Sequence, residues 1–256
     1  MRMVIKPQAI DLYAGLGGWT EGLLAEGFRV VGFDIERHKY GDATYPAQLV
    51  IQDVLTLHGR QFKSAALIVA SPPCQAYSYM SMPWSKAKAI EAEYLSGVRD
   101  IQQLNALFDA CFRIQREAIA AAGHFIPLVV ENVRGAQKWV GRAQWNYGSF
   151  YLWGDVPALM PIPCKVPGKV PGFRFDGSGR SFQTASVAVA ERLDDAVLKC
   201  GGVKCGGTWF GLGIKSAMRQ HSSKSPARKM ASAMIAKIPI PLSRWIARAY
   251  LPKGDL

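Results

Sequence analysis

Ala9-Ile10-Asp11-Leu12-Tyr13-Ala14-Gly15-Leu16-Gly17-Gly18 runs from apolar residues into a cluster of glycines. Residues 9–14 read as a short strand, and residues 20–26 as a short helix. Glycines at such a junction let the backbone turn tightly and come close to a ligand. The spacing is not the Gly-x-Gly-x-x-Gly of dinucleotide sites, which favours a smaller adenosyl ligand over a pyrophosphate. Alone, a turn of this kind suits many nucleotide-type cofactors.

Outward from that turn the same alternation repeats. Residues 29–34, 49–54, 65–70 and 125–133 are short apolar runs rich in Val and Ile, bounded by Gly, Pro or charge, and read as strands. Residues 100–122 place Ile101, Leu104, Leu107, Cys111, Ile114 and Ala118 three or four apart, one face of a long amphipathic helix. Strands alternating with helices predict an α/β fold with a doubly wound, mostly parallel sheet covered on both faces. Ligands of such sheets sit at the carboxyl ends of the strands. Residues 77–94 show no clear period and read as a mobile loop. After about residue 155 the character changes. Residues 161–179 are rich in Pro and Gly, and Cys200-Gly201-Gly202-Val203-Lys204-Cys205-Gly206-Gly207 is a glycine-dense loop. Residues 155–224 therefore read as a small, loop-rich recognition element. A helical pattern returns from residue 225 and closes with a helix over 242–250.

The chain has 256 residues, 49% hydrophobic and 20% charged, which suits one large domain or a domain with an appendage. No apolar run approaches the roughly 20 residues of a membrane span. The first residues lack a signal-peptide core, so a cytoplasmic location and no membrane partner are expected. Five cysteines suit free thiols better than a disulfide framework. Cys164, Cys200 and Cys205 lack the tight pairing of zinc ribbons and a clear fourth ligand, so no metal is expected. The net charge of +12 is unevenly spread. Residues 1–133 hold 12 Lys/Arg against 13 Asp/Glu, and residues 134–256 hold 19 against 6. The excess positive charge thus lies in the second half, which reads as a polyanion-binding face.

Chemistry-bearing residues stand at successive strand ends. Asp34, with Glu36 nearby, ends the second strand and suits ribose hydroxyls. Asp53 ends the third and could accept from an adenine amino group. Cys74 follows two prolines, Pro72 and Pro73, which fix an extended approach and aim it into a loop. Glu131, in Glu131-Asn132-Val133, ends a strand so apolar that a charge there would be costly unless it emerged into a site. Taken singly, each has a structural explanation: a helix cap, a solvated carboxylate, a buried thiol.

In this order and placement the chain resembles the DNA (cytosine-5) methyltransferases, in a compact phage-type form. The resemblance rests on residues 11–18, Asp34-Ile35, Asp53, Pro73-Cys74-Gln75, Leu107-Phe108 with Arg113-Ile114, Glu131-Asn132-Val133, and Ile238-Pro239-Ile240-Pro241-Leu242 followed by Trp245-Ile246-Ala247. It covers residues 9–154 well, 225–250 moderately and 155–224 hardly at all.

The resemblance implies the fold of the S-adenosylmethionine-dependent methyltransferases. Residues 1–154 and 225–256 would form the catalytic and cofactor-binding domain, and 155–224 the target-recognition region. S-adenosylmethionine would be held by Asp11, Tyr13, Gly15, Gly17, Gly18, Asp34, Ile35, Asp53 and Pro73, with Tyr13 and Ile35 flanking the adenine. Cys74 would add covalently to C6 of a flipped-out cytosine. Glu131 would donate a proton to N3, its pKa raised by burial. Asn132 and Arg142 complete the implied catalytic set. Double-stranded DNA would meet Gln75, Ser78, Ser81, Lys86, Lys204 and Arg219, and the protein would act as a monomer in DNA methylation or restriction-modification. Two features depart from the family's pattern. Its Gln-x-Arg-x-Arg strand corresponds here to Gln144-Trp145-Asn146-Tyr147-Gly148-Ser149-Phe150, without the arginines, so that Arg142 would have to reach the base from another position. Its last motif opens with Gly-Asn, where this chain has Ile235-Ala236-Lys237. A transfer-RNA cytosine-5 methyltransferase and a catalytically weak DNA-binding homologue remain open as alternatives.

Overall fold

A computed structural model describes residues 6–77, 84–160, 229, 233 and 236–252. Short Val-, Ile- and Leu-rich runs pair side by side. These are β1 (Gln8–Leu12), β2 (Arg29–Asp34), β5 (Gln48–Ile51), β6 (Leu67–Ala70) and β7 (Leu128–Asn132), all parallel. The strands β8 (Trp145–Tyr147) and β9 (Phe150–Gly154) add an antiparallel edge beside β7. The sheet order is β5-β2-β1-β6-β7-β9-β8. From β1 the chain builds outward through β2 and β5, then crosses back to β6 and β7. The order therefore reverses between β1 and β6, and the crevice at their carboxyl ends is where such a sheet takes a ligand. A separate hairpin, β3 (Lys39–Tyr40) with β4 (Ala43–Thr44), follows β2.

Strand alternation sorts the core into two layers. Ile10, Leu12, Ile68, Ala70, Leu128 and Val130 face α3 (Ile101–Ala122), which buries Phe108, Cys111, Ile114 and Ala118 against them. Ala9, Leu67, Val69 and Val129 face α1 (Gly18–Ala25) and the last helix. α3 starts where the Asp100 carboxylate accepts from Gln102 N at 2.7 Å and stops at Gly123 with φ +73. The mostly parallel sheet with both faces covered is the architecture expected from the sequence.

Local differences have local causes. The third strand ends at Ile51 because Asp53 caps a single turn at Val54–Thr56. The fifth starts at Leu128, after Pro127, which lacks an N–H, and Phe125 is exposed. Residues 77–94, expected to be a loop, hold all but the last residue of the helix α2 (Trp84–Leu95). Its Ala, Lys and Glu are good helix formers without an apolar stripe, so periodicity misses it. Contacts with α4 (Gln137–Val140) hold α2: Glu91, which also pairs with Lys88 of its own helix, meets Lys138, and Tyr94 meets Trp139 edge to face at 5.3 Å. Ser78, Ser81, Lys204, Arg219, Cys164, Cys200, Cys205 and most of residues 155–224 lie outside the described residues. No described helix is long and apolar enough to cross a membrane.

The final helix, α5 (Ile240–Tyr250), returns to α1 and buries Leu242, Ile246 and Ala247 beside Trp19 and Leu23. Gly22 sets their approach. A Cβ there would stand 2.1 Å from Ser243 Oγ and 2.6 Å from Arg244 N. Pairs of Glu21 with Lys237 and of Glu26 with Arg244 and Arg248 flank this contact. Being part-exposed, they add little beside the packing. Gly22→Ala is expected to cost about 1–3 kcal/mol through overpacking, read as a lower urea midpoint; an unchanged midpoint would mean that α5 does not pack this closely.

Candidate active site

The glycine turn is built against its surroundings. Tyr13 takes φ +60, unusual for a residue with a Cβ, and its hydroxyl donates to Leu107 O at 2.8 Å, which ties the turn to α3. Gly17 has φ +76, and a Cβ there would lie 2.4 Å from Pro46. A Cβ on Gly18 would lie 2.4 Å from Ile238 N. The turn is thus walled at Gly17 and Gly18. At Gly15, φ +52, a Cβ would meet nothing nearer than Tyr13 O at 3.9 Å, so the backbone is open to a ligand there.

Asp34, 8% exposed, accepts from Gly15 N at 2.8 Å and Glu36 N at 3.3 Å. His38 Nε2 stands 3.6 Å from it. Each carboxylate oxygen can accept more than one hydrogen bond, so capacity remains for hydroxyls. Beside it Ile35 is 70% exposed, an apolar side chain next to a carboxylate. Asp53 uses Oδ1 to accept from Leu55 N at 2.9 Å. A turn open at one glycine, an adjacent carboxylate and an exposed aliphatic side chain form a donor set that fits an adenosyl cofactor.

Asp11 is placed differently from its neighbours in the motif. It points to the α1 side of β1, 1% exposed, and accepts from Thr20 Oγ1 at 2.6 Å. Thr20 in turn lies 2.6 Å from the Tyr45 hydroxyl. Burial raises the Asp11 carboxyl to about 7, opposed by the Thr20 hydrogen bond and assisted by the negative charge of Asp34.

Cys74 lies just past β6 and is half-buried. Its loop is fastened at four points. Ser71 N donates to Leu12 O at 3.2 Å, Trp19 Nε1 to Ser71 Oγ at 2.9 Å, Asn132 Nδ2 to Pro72 O at 3.0 Å, and Tyr77 N to Cys74 O at 3.0 Å. Tyr77, buried, sets its hydroxyl 3.1 Å from both Leu104 O and Asn105 Oδ1, and Asn105 donates to Trp139 O at 3.0 Å. Cys111 is fully buried, and desolvation pushes its thiol well above the ordinary range, which leaves Cys74 the more accessible thiol among the described residues.

Glu131, 7% exposed, pairs across the sheet with Leu152, a member of the α1–α5 layer. Asn132 is buried beside it, and its Oδ1 accepts from Val133 N at 2.8 Å. The structure thus brings the Cys74 loop and the Glu131 strand end together through Asn132. Pro73 and Gln75, on either side of Cys74, are exposed, and so is Lys86 on α2. Arg142 has other neighbours. It lines a cleft of about 600 Å³ with Phe108, Asp109, Phe112, Arg116 and Trp153 on the α3 side, and a second with Gln144, Trp145 and Tyr151. Thr20, Tyr45, Tyr77 and Asn105 were not singled out from sequence, because each acts through a partner at least nine residues away.

Parallel strands whose carboxyl ends carry a glycine turn, a cysteine loop and a glutamate place these groups along one edge of an α/β sheet. The model for C-5 cytosine-specific DNA methylases matches residues 8–137, just over half of the chain, and the chain belongs to that family. No curated protein matches it. Among solved structures it is similar to a DNA modification methyltransferase encoded within a prophage of E. coli (23% identity, TM-score 0.37, 53% of this chain and 35% of that one). It is also similar to Spodoptera frugiperda DNMT2 (17%, 0.34, 53% and 38%) and to the Entamoeba histolytica methyltransferase EhMeth (14%, 0.38, 62% and 57%). The chain therefore spans 35% to 57% of the length of these three.

Because its pKa is raised to about 7, folded Asp11 holds a proton that the unfolded chain releases near pH 4. Stability therefore falls as pH rises from about 4 to 7 and levels off above, by on the order of 4 kcal/mol. Asp11→Asn is expected to raise the melting temperature at pH 8 and to match the parent near pH 4, measured by calorimetry. An equal effect at both pH values would contradict a buried, proton-holding Asp11.

Proposed function

We propose that the protein methylates C5 of cytosine in double-stranded DNA through a covalent bond from Cys74. The observation that supports this most is the Asn132 amide bound to Pro72 O at 3.0 Å, which couples the Cys74 loop to the strand end of Glu131. A nucleophile and a proton donor that must act on one ring need such a fixed relation.

C5 of cytosine is a poor nucleophile, and the two side chains remedy that in sequence. The Cys74 thiolate forms a bond to C6 while Glu131 passes a proton to N3, so that C5 gains enamine character. S-adenosylmethionine, when bound, supplies the methyl group that C5 accepts. A base then takes the C5 proton, the C6–S bond breaks to return the thiolate, and the N3 proton goes back to Glu131. Gly15, Asp34, Ile35, Tyr13 and Asp53 would hold the cofactor. The base is unreachable inside a duplex and must be flipped out. Gln75, exposed in the cysteine loop, Lys86, exposed on α2, and the basic second half of the chain would meet phosphates.

The test uses S-adenosylmethionine labelled in its methyl group with unmethylated duplex DNA and, separately, transfer RNA. Label is expected on DNA cytosines, located by bisulfite sequencing, and absent with Cys74→Ala. Glu131→Gln should slow transfer by roughly 10²–10⁴-fold while leaving cofactor binding in place. Transfer to RNA alone would replace DNA as the substrate, and DNA binding without transfer would make the protein a binding homologue.

A further inference from the structure

The buried Asp11 does more than a structural carboxylate needs to do, and at a cost. Among the described residues its charged and hydrogen-bonding neighbours are these. Thr20 of α1 donates to it, Tyr45 stands behind Thr20, and Asp34 at the end of β2 adds negative charge. Glu131 stands on the same sheet face two strands away, since Asp11 pairs with Val69 and Val69 with Val129, two residues before Glu131. Among the described residues, the cations beside α1 on this side of the sheet, Lys237, Arg244 and Arg248, are engaged by Glu21 and Glu26. With Thr20 donating to Asp11, the Tyr45 hydroxyl is the donor to Thr20, so both hydroxyls point their protons towards the carboxylate. Tyr45 is held firmly for this: a Cβ on Gly32 would come within 2.4 Å of its ring and hydroxyl. Hydroxyls aligned for the ionised form, in a place where burial opposes ionisation, leave the carboxylate poised between two states.

Directly above this group lies the turn that would hold the cofactor. We infer that Asp11 is a charge-sensing residue beneath that turn, which favours the sulfonium form of the cofactor over its neutral thioether product. The inference rests on the adenosyl reading of the site given above. Before transfer the bound nucleoside carries a fixed positive charge on sulfur; afterwards it carries none. An ionised Asp11, shielded from solvent, attracts the first and is indifferent to the second. Binding of the sulfonium therefore promotes ionisation of Asp11, and loss of the charge on transfer lets Asp11 take its proton back and weakens the hold on product. Asp11 acts through space and through the turn, so it is a positioning residue and touches neither reacting atom.

The test is calorimetric titration of the full chain with S-adenosylmethionine and, separately, S-adenosylhomocysteine, at pH 6 and pH 8. The parent is compared with Asp11→Asn, so that titration of the ligands themselves cancels. In the parent, preference for the sulfonium is expected to grow roughly five- to tenfold from pH 6 to pH 8. In Asp11→Asn this growth should vanish, with sulfonium affinity at pH 8 reduced by a similar factor and thioether affinity almost unchanged. Thr20→Val removes a hydrogen bond that lowers the Asp11 pKa and should move the pH midpoint of the preference upward. Equal weakening of both ligands in Asp11→Asn, or one pH course for both ligands in the parent, would reduce Asp11 to a prop for the turn and overturn the inference. If neither ligand binds the parent at either pH, the adenosyl reading itself falls, and the inference with it.

Discussion

Burial of β1, β6 and β7 on both faces leaves their polar side chains little room except at the carboxyl ends. β6 is apolar throughout and β7 until its last two residues, because α1 and α5 cover one face and α3 the other, while Asp11 of β1 is buried against Thr20. A charge placed in mid-strand would lose its hydration with nothing in return. Polar groups therefore collect where the order of the sheet reverses, and the neighbouring ends form one edge. The glycine turn after β1, Asp34 at the end of β2, the cysteine loop after β6 and Glu131 on β7 all lie at that edge for the same reason.

That edge is held by side chains acting at long range in sequence. Asn132 reaches 60 residues back to Pro72, Trp19 reaches 52 forward to Ser71, and Tyr13 reaches 94 forward to Leu107. Each contact is a single hydrogen bond, worth about 1 kcal/mol net, but losing one would leave a buried partner unsatisfied at greater cost. The loop carrying Cys74 is therefore stiffer than its proline and glutamine content alone would make it.

The same edge concentrates unfavourable local states. Tyr13 sits in left-handed backbone space, and Asp11 lies wholly inside the protein. Neither makes the fold more stable, and both adjoin the turn that faces the crevice. Strain and buried charge persist where the surrounding packing over-determines them, and that is commonly at a site of function.

Sequence by itself determined the alternation of strands and helices, the glycine turn, the placement of Cys74 and Glu131 at strand ends, and membership of a cytosine-5 methylase family. These follow from local composition and short-range order, which the chain carries wherever it folds. It missed α2, whose Ala-, Lys- and Glu-rich turns lack an apolar period, and it could not tell that Asp11 faces inward while Asp34 faces the turn. Nor could it say that Arg142 lines a cleft on the α3 side while Glu131 stands on the other face. Tertiary structure decided these points. Which face a strand residue takes depends on pairing register, and what a buried carboxylate meets depends on helices that arrive from far along the chain.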